Sequence, residues 1–365
     1  MLVYKHVVQD PIYCRQHYRK TQEAVITHKC TITDLLYSMS FRYFAVADVG
    51  TANKTTQSNY AQKFNASPAM VLCLGDNFYP DGVDDVHDSQ FQTTWRNNFL
   101  QHPSLRVPWN VILGNHDYMR NPHAQIEYHY HSNNSDKLWR MPSNCYSFKS
   151  DGLGYNDYTN IGEVSDNGSH ALVQFFGIDT NGCQLHVREK FPSTESELYS
   201  HIDKLRGDLA ISNAHWKVVF GHHPLYTQGL NHGKVAKCLR SREYSYLSPD
   251  GNECSSSGYN LEDVLLEGGV HAYFAGHEHV LQQHSANGIY HFGCAGAGSE
   301  VREVTGLYGG MDPNIKLDWV GKDTSAGFIA VDVSREVLNV RYVTIEGDII
   351  REVNVTHPQC KDATK

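Results

Sequence analysis

Six short, almost entirely apolar segments constrain the fold of this chain more than any other feature. They cover residues 41–48, 69–76, 107–115, 170–179, 216–222 and 270–277. Runs of this length and composition are typical of strands that are covered on both faces. We therefore expect a largely parallel sheet with helices packed against it, which is the plan of an α/β protein.

The segments between and after these runs complete the plan. Helix-like spacing occurs at 88–101, 194–211 and 260–268, where Asn260 is a candidate N-cap and Gly268 ends the segment. Further strands are predicted at 327–333, 337–345 and 347–355. The pattern predicts one α/β domain over 41–356, preceded by an extension of unknown role at 1–40 and followed by a short tail at 357–365.

Five of the six early strands end in glycine and polar residues. The clusters are Asp48-Val49-Gly50, Gly75-Asp76, Gly114-Asn115-His116-Asp117, Gly221-His222-His223 and Gly276-His277-Glu278-His279. In open α/β sheets, sites form where the carboxyl ends of strands converge. Each cluster alone is weak, because an aspartate at a strand end is often a turn residue, and two histidines two residues apart on one face of a strand suit metal ligation and ordinary surface positions equally. The occurrence of all five clusters in this order favours a functional site at the strand ends.

Together the clusters resemble the calcineurin-like metallophosphoesterases and, more narrowly, the small purple (tartrate-resistant) acid phosphatases. The matching motifs are Asp48-x-Gly50, Gly75-Asp76-x-x-Tyr79, Gly114-Asn115-His116-Asp117, Val219-x-x-His222 and Gly276-His277-x-His279. The resemblance covers about residues 41–350. It implies two mixed β-sheets packed as a sandwich and flanked by helices.

The resemblance also implies a dinuclear metal centre. Its first metal would be held by Asp48, Asp76, Tyr79 and His279. Asp76 would bridge to a second metal completed by Asn115, His222 and His277. A tyrosinate ligand favours Fe(III) at the first position, and imidazole and carboxylate ligands suit a divalent iron, zinc or manganese ion at the second.

The implied activity is that of an acid phosphatase, which hydrolyses phosphate monoesters with a metal-bound hydroxide. His116 would orient the phosphoryl group. His232 is the candidate that protonates the leaving alcohol, although it stands one residue further along than the family pattern has it, and an exposed loop histidine is the alternative. His223 is expected to face away from the site in a structural role, and Asp117 either orients a neighbour or is a plain turn residue.

Other functions remain as alternatives. One alternative is a metallophosphoesterase that prefers diesters or pyrophosphates, and the other is a phosphatase-fold protein used for binding or anchoring. The anchoring alternative would require lost ligands, whereas all seven ligand positions are filled. The expected substrate is a small phosphomonoester or a phosphoprotein, and the polar segment 242–258 is interpreted as a lid over the site.

Charge and composition limit the classes of binding partner that this protein is expected to have. The net charge is −9 and the basic residues do not cluster, which argues against nucleic acid. No apolar run reaches the ~20 residues of a membrane span, and we expect a monomer. Sequons at five positions favour a glycosylated protein of the secretory pathway, extracellular or in a lysosome- or vacuole-like compartment, although residues 1–40 show no clear signal peptide. The sequons are at Asn53, Asn65, Asn133, Asn167 and Asn354.

Nine cysteines cannot all pair within one chain. The resemblance implies a disulfide between Cys183 and Cys238, and the competing pair is Cys238 with Cys254. Cys73 and Cys294 fall in apolar strand segments, so we expect them to be buried thiols.

Overall fold

Two mixed seven-stranded β-sheets form the frame of the protein. The computed structural model describes residues 40–50, 68–150, 171–228, 233–240, 259–294, 315–321 and 326–358, and these all belong to one compact unit, Met39–Lys365. The proposed division at residues 40 and 356 stays a prediction. No helix in the described ranges has both the length and the apolar character needed to cross a membrane.

The first sheet has the strand order β14-β13-β12-β1-β2-β3-β4. Strands β1 to β4 run parallel to one another, and β12 to β14 continue from β1 as an antiparallel meander. The strands are β1 Phe41–Val46, β2 Met70–Cys73, β3 Trp109–Val111, β4 Trp139–Arg140, β12 Gly327–Val333, β13 Val337–Thr344 and β14 Ile349–Thr356.

The second sheet has the order β11-β9-β10-β8-β7-β6-β5. Its centre, β6-β7-β8-β10, is parallel, and its edges are antiparallel. The strands are β5 Cys145–Ser150, β6 Val173–Ile178, β7 Trp216–Gly221, β8 Ala272–Ala275, β9 Gln282–Ala286, β10 Ile289–Gly293 and β11 Ile315–Val320.

Helices cover the outer faces of both sheets. A π-helix spans Phe91–Leu100, and the α-helices are α1 His123–Tyr130, α2 Leu185–Lys190, α3 Thr194–Ile211, α4 Gly233–Arg240 and α5 Leu261–Glu267. Short 3₁₀ turns occur at Pro103–Leu105, His116–Met119, Ser132–Asn134 and Asn181–Cys183.

The apolar strands are buried on both faces, as their composition predicted. Within β1, Tyr43 and Ala45 belong to the core between the sheets, and Phe44 belongs to the core under the π-helix and α1. The ring of Tyr43 packs edge-on against Phe175 of the second sheet with centroids 5.1 Å apart. The layers are therefore helix, sheet, sheet and helix, which confirms the sandwich that the resemblance implied.

All nine predicted strands and all three predicted helices are present. The sequence patterns missed β4, β5, β9, β10 and β11, as well as α1, α2 and α4. Strand β9 has the sequence QQHSA and lacks the apolar run that marked the other strands. Asn260 occupies the N-cap position of α5, as predicted, but its φ of 53° is left-handed and its side chain makes no capping hydrogen bond.

Candidate metal centre

The predicted ligands lie together where the carboxyl ends of both sheets meet. Asp48, Asp76 and Asn115 follow β1, β2 and β3 of the first sheet, and His222 follows β7 of the second. His277 and His279 follow β8. The backbone links the two sheets here, because the N–H of His277 donates to Oδ1 of Asp48 at 3.2 Å. Parallel strands from two sheets thus bring all of these side chains to one edge.

The backbone of four of these ligands is left-handed. The φ angles are 54° at Asp48, 53° at Asp76, 70° at His277 and 54° at His279. Such angles cost free energy in residues that carry a side chain and collect at functional sites. His277 and His279 therefore do not lie on one face of a strand, because each left-handed residue re-aims the chain after β8 has ended.

Glycines make room for the donors. Gly75 has a φ of 91°, and a Cβ there would lie 2.6 Å from Nδ1 of His222. A Cβ on Gly114 would lie 2.2 Å from Oδ1 of Asp76. Both strand-end glycines are required by the close approach of a ligand side chain, which is a tighter reason than the turn that the sequence suggested.

A first group of donors surrounds Tyr79. Its hydroxyl lies 2.8 Å from Oδ2 of Asp76, 3.2 Å from Nε2 of His279 and 3.4 Å from Oδ1 of Asp48. Nε2 of His279 is 3.6 Å from the same Asp48 oxygen. Two ligands that share a metal at about 2.1 Å are themselves about 3.0–3.4 Å apart, so these separations suit a common ion.

A second group of donors surrounds His222. Its Nε2 lies 3.2 Å from Oδ1 of Asn115 and 3.5 Å from Oδ1 of Asp76. The rings of His222 and His277 have centroids 5.0 Å apart. Asp76 therefore turns Oδ2 towards the first group and Oδ1 towards the second, which is the arrangement of a bridging carboxylate.

Burial and charge at this edge call for cations. Oδ2 of Asp48 is buried and has no hydrogen-bond partner among the described residues. Burial raises the pKa of Asp48 above its usual value despite the opposing charge of His222. Burial opposes the charging of His222, yet Asp76 raises the pKa of its imidazole to about 9. Carboxylates held this close without solvent fit bound metal ions, which supply the missing positive charge.

The hydroxyl of Tyr79 is hard to ionise. Burial, together with the charges of Asp76 and Asp48, raises the pKa of its hydroxyl well above the usual value. Without a cation the residue is a neutral phenol that donates to Asp76. Ionisation of this phenol therefore calls for a bound cation.

Asp117 holds the two ligand loops together. Its buried carboxylate accepts from the backbone N–H groups of Asn77, Phe78 and Gly114 at 2.8–3.2 Å. It also accepts from Nε2 of Gln125 at 2.8 Å. Of the two roles that the sequence left open, the structure supports orientation of neighbours, since the carboxylate joins the loop of Asp76 to that of Asn115.

His116 lies at the mouth of the centre. Its backbone N–H donates to Oδ1 of Asp76 at 2.9 Å, and its Nδ1 lies 2.6 Å from the carbonyl of Pro80. Its ring lies 4.4 Å from that of Tyr79. With Nδ1 donating to a carbonyl, Nε2 is the nitrogen left for a substrate.

Several residues near the centre were missed by sequence reasoning. His186 on α2 has an exposed side chain, and partial burial of its ring, followed by the charge of His116, lowers the pKa of its imidazole. His223 was expected to face away, which is wrong, because its ring is 4.4 Å from that of His277 and it is fully buried. The extended backbone assumed for that expectation ends at Gly221. A single histidine outside a recognisable motif does not reveal from the sequence that it lies near a metal centre.

Two three-residue groups of described side chains are close enough to hold a metal. One is Asp48, Asp76 and His222, and the other is His222, His223 and His277. His232 and the proposed lid at 242–258 lie outside the described residues. The predicted disulfide between Cys183 and Cys238 is wrong, because Cys183 is a free, buried thiol, whereas the expectation of buried thiols at Cys73 and Cys294 is confirmed.

Comparison with known proteins agrees with this geometry. Residues 41–281 match the family model for calcineurin-like phosphoesterases. Tartrate-resistant acid phosphatase type 5 of Homo sapiens is 28% identical over 289 residues, which is 76% of this chain and 76% of that protein. Purple acid phosphatase 7 of Arabidopsis thaliana is 28% identical over 301 residues, covering 79% of this chain and 76% of that protein.

Solved structures share the fold. GAP50, described as the anchor in the inner membrane complex of Plasmodium, superposes with a TM-score of 0.61 at 19% identity, covering 87% of this chain and 89% of that one. Purple acid phosphatase PPD1 from yellow lupin (Lupinus luteus) seeds gives 0.52 at 16% identity, covering 87% of this chain and 54% of that one. At sequence identities this low, the similarity shows a shared fold and nothing about function.

Proposed function

Because the chain belongs to the calcineurin-like phosphoesterase family, we propose that it is an acid phosphatase that hydrolyses phosphate monoesters at a dinuclear metal centre. The observation that carries the proposal is the Asp76 carboxylate, which turns one oxygen to the donors around Tyr79 and the other to the donors around His222. The curated relatives named above are acid phosphatases.

We assign the two metal positions to the two groups of donors. Asp48, Asp76, Tyr79 and His279 would hold the first ion, and Asp76, Asn115, His222 and His277 the second. Fe(III) is proposed beside Tyr79 because the phenol, wedged between two carboxylates, needs a trivalent ion to ionise. Divalent iron, zinc and manganese all suit the second set of oxygen and nitrogen donors.

When bound, the ions would lower the pKa of a water molecule to generate the nucleophile and would neutralise the phosphate. The chain's own residues do the rest. Because Nδ1 of His116 contacts the carbonyl of Pro80, only the imidazolium form, which carries a proton on Nε2 as well, would donate a hydrogen bond to a phosphoryl oxygen and stabilise its growing negative charge. Asp117 keeps the loops of Asp76 and Asn115 in register, so that both ligand sets stay in place as charge moves.

The proton for the leaving alcohol needs a separate donor. We keep His232 as the proposed general acid on the strength of the sequence pattern. The segment 242–258, close to it in sequence, remains the proposed lid.

An anchoring role is the second candidate, since GAP50 carries the same fold and is described as an anchor. The filled ligand set favours catalysis, because a purely binding protein has no need for buried, unpaired carboxylate oxygens such as Oδ2 of Asp48. A preference for diesters is a third candidate, and the substrate comparison below decides it.

We further propose a glycosylated, monomeric protein of the secretory pathway. Of its five sequons, Asn133 and Asn354 are described, and both are exposed as glycosylation requires. Because Cys183 is a free thiol, we propose that Cys238 forms a disulfide with Cys254. Peptide mapping under non-reducing conditions tests the pairing.

The function is tested by metal analysis and kinetics on the purified protein. We expect two metal ions per chain, one of them iron, and hydrolysis of p-nitrophenyl phosphate at acidic pH that exceeds hydrolysis of bis(p-nitrophenyl) phosphate. Metal-loaded protein without any phosphatase activity would support the anchoring role. Faster hydrolysis of the diester would move the protein to the diesterase alternative.

A further inference from the structure

A buried glutamine lies directly behind the second group of donors. Gln184, at the start of α2, places its Nε2 3.1 Å from Nε2 of His277 and 3.0 Å from Nε2 of His223. The exposed fractions are 9% for Gln184, 5% for His277 and 0% for His223. Nδ1 of His223 in turn lies 2.8 Å from Oγ1 of Thr180, which is also fully buried. The side chains of His277, Gln184, His223 and Thr180 therefore form one continuous series of polar contacts.

We propose that Gln184, held by His223 and Thr180, positions the His277 imidazole and determines which of its nitrogens faces the second metal. This inference rests on the proposed function only in taking His277 as a metal ligand.

The proton on His277 decides whether it can bind a metal. A neutral imidazole carries one proton, and a metal binds the nitrogen that lacks it. Because Nε2 contacts Gln184, Nδ1 is the nitrogen left for the metal. Nδ1 is bare only if Nε2 carries the proton and donates it, and Gln184 accepts that hydrogen bond only through its Oε1.

A half-turn of the Gln184 amide therefore exchanges two arrangements. With the NH₂ group between the rings, as in the structure, the amide donates to Nε2 of both histidines, and the proton of His277 sits on Nδ1. With Oε1 between the rings, the oxygen accepts from both Nε2–H groups through its two lone pairs, and Nδ1 of His277 becomes available. Metal binding selects the second arrangement.

The surroundings of His223 favour the arrangement that binds metal. Oγ1 of Thr180 accepts from the backbone N–H of His223 at 3.2 Å, and its hydroxyl proton is in place to donate to Nδ1, 2.8 Å away. His223 then carries its own proton on Nε2 and needs an acceptor, which is Oε1 of Gln184. The hydroxyl of Tyr273 donates to the carbonyl of His223 at 2.8 Å and keeps the ring in place. Hydrogen bonds of this kind behind a ligating histidine orient the ring and tune its affinity for metal.

Two substitutions of Gln184 separate positioning from packing. Gln184→Leu removes the hydrogen bonds at nearly constant volume, and we expect Co²⁺ affinity at the second metal position to fall by about 10- to 100-fold. Gln184→Glu offers oxygen acceptors only, so affinity should be retained or increased. A packing role predicts the opposite order, because a leucine is harmless in a buried site and a carboxylate is costly.

The affinity is measured by letting the protein and a chelator compete for Co²⁺ while the visible d–d spectrum of the bound ion is recorded. The binding event that is lost in Asn115→Ala is assigned to the second metal position. The matched control is Gln174→Leu, a glutamine of β6 that is 4% exposed and hydrogen-bonded to Ser147 and Ser212. It should bind Co²⁺ as the native protein does. Equal affinity of Gln184→Leu and native protein would overturn the inference, as would a Gln184→Glu variant that loses as much as Gln184→Leu.

A third variant covers a folding failure of Gln184→Leu. His223→Phe leaves Gln184 without its second partner, and we expect a smaller loss of Co²⁺ affinity with unchanged circular dichroism. If His223→Phe binds Co²⁺ as tightly as native protein, His223 does not hold Gln184 in place and the inference fails. Native protein that binds no Co²⁺ at all contradicts the proposed function instead, so the two failures are distinguishable.

Discussion

The hydroxyl of Tyr79 lies 2.8 Å from Oδ2 of Asp76, while Oδ1 of the same carboxylate faces His222 at 3.5 Å. One residue thus joins a phenol-containing group of donors to an imidazole-containing one. The phenol sits among carboxylates that raise its pKa, and the imidazole among carboxylates that raise its own. The proposal that two different ions bind rests on this asymmetry around a shared aspartate.

Tyr79→Phe should abolish the visible charge-transfer band expected of a ferric tyrosinate while most phosphatase activity remains. The tyrosinate gives rise to the band, whereas Asp48, Asp76 and His279 still hold the first ion. Absorption spectra and p-nitrophenyl phosphate kinetics of native and variant protein check this. A band that survives the substitution would show that another tyrosine binds the iron, and a colourless, fully active native protein with two zinc or two manganese ions would exclude the ferric ion.

Asn115→Ala and His277→Ala should each remove one donor from the second metal position. We expect the metal content to fall towards one ion per chain and kcat/KM for p-nitrophenyl phosphate to fall by more than ~100-fold, since even partners behind a ligand are worth up to that much. Metal analysis and kinetics at acidic pH are the measurements. His123→Ala, an exposed histidine on α1, is the control, and near-native activity in either ligand variant would refute the assignment.

Gly75→Ala should weaken metal binding in addition to lowering stability through backbone strain. At a φ of 91° the alanine is strained by about 1–3 kcal/mol, and its Cβ would press on Nδ1 of His222 at 2.6 Å. We expect lower stability in urea together with weakened metal binding. Gly288→Ala is the matched control, because Gly288 has a φ of 86° and nothing within 4 Å of the added Cβ. It should lose stability but keep its metals, and equal metal binding in both variants would contradict the prediction.

Two buried histidines should make the protein sensitive to acid. His284 and His291 are paired across β9 and β10, and burial lowers the pKa of their imidazoles to about 4 and about 3. In the unfolded chain both titrate near ~6.5, so below that pH the unfolded state binds protons that the folded state does not. The free energy of unfolding therefore falls as the pH drops from about 6.5 to 4, by at most ~1.4 kcal/mol per pH unit for each histidine.

His291→Phe should flatten this loss without lowering stability at pH 7.5, since both ring nitrogens of His291 are buried and lack hydrogen-bond partners among the described residues. Of the charged groups nearby, Arg240 opposes protonation of both histidines, and Asp318 favours it at His284. Urea unfolding over a pH series is the measurement, with exposed His87→Phe as the control. An unchanged slope in His291→Phe would assign the acid sensitivity to other groups.

The sequence by itself determined the frame of this protein and identified the seven candidate ligands that lie together at the strand ends. Runs such as 41–48 and 69–76 are apolar because their strands are buried on both faces, and this burial is a local property that composition reveals. The polar clusters at their ends were identifiable for the same reason, because parallel strands deliver their carboxyl ends to one edge. Strand β9 escaped notice since its buried glutamines and histidine imitate an exposed segment.

Only the tertiary structure decided how the site is divided and what lies behind it. His277 and His279 are two residues apart, yet left-handed backbone sends one towards His222 and the other towards Tyr79. Gln184 and His223 became neighbours of His277 because the ends of β6, β7 and β8 meet in the second sheet. Residues 93 positions apart in the chain share no local pattern, so contacts of this kind arise only when the sheets assemble.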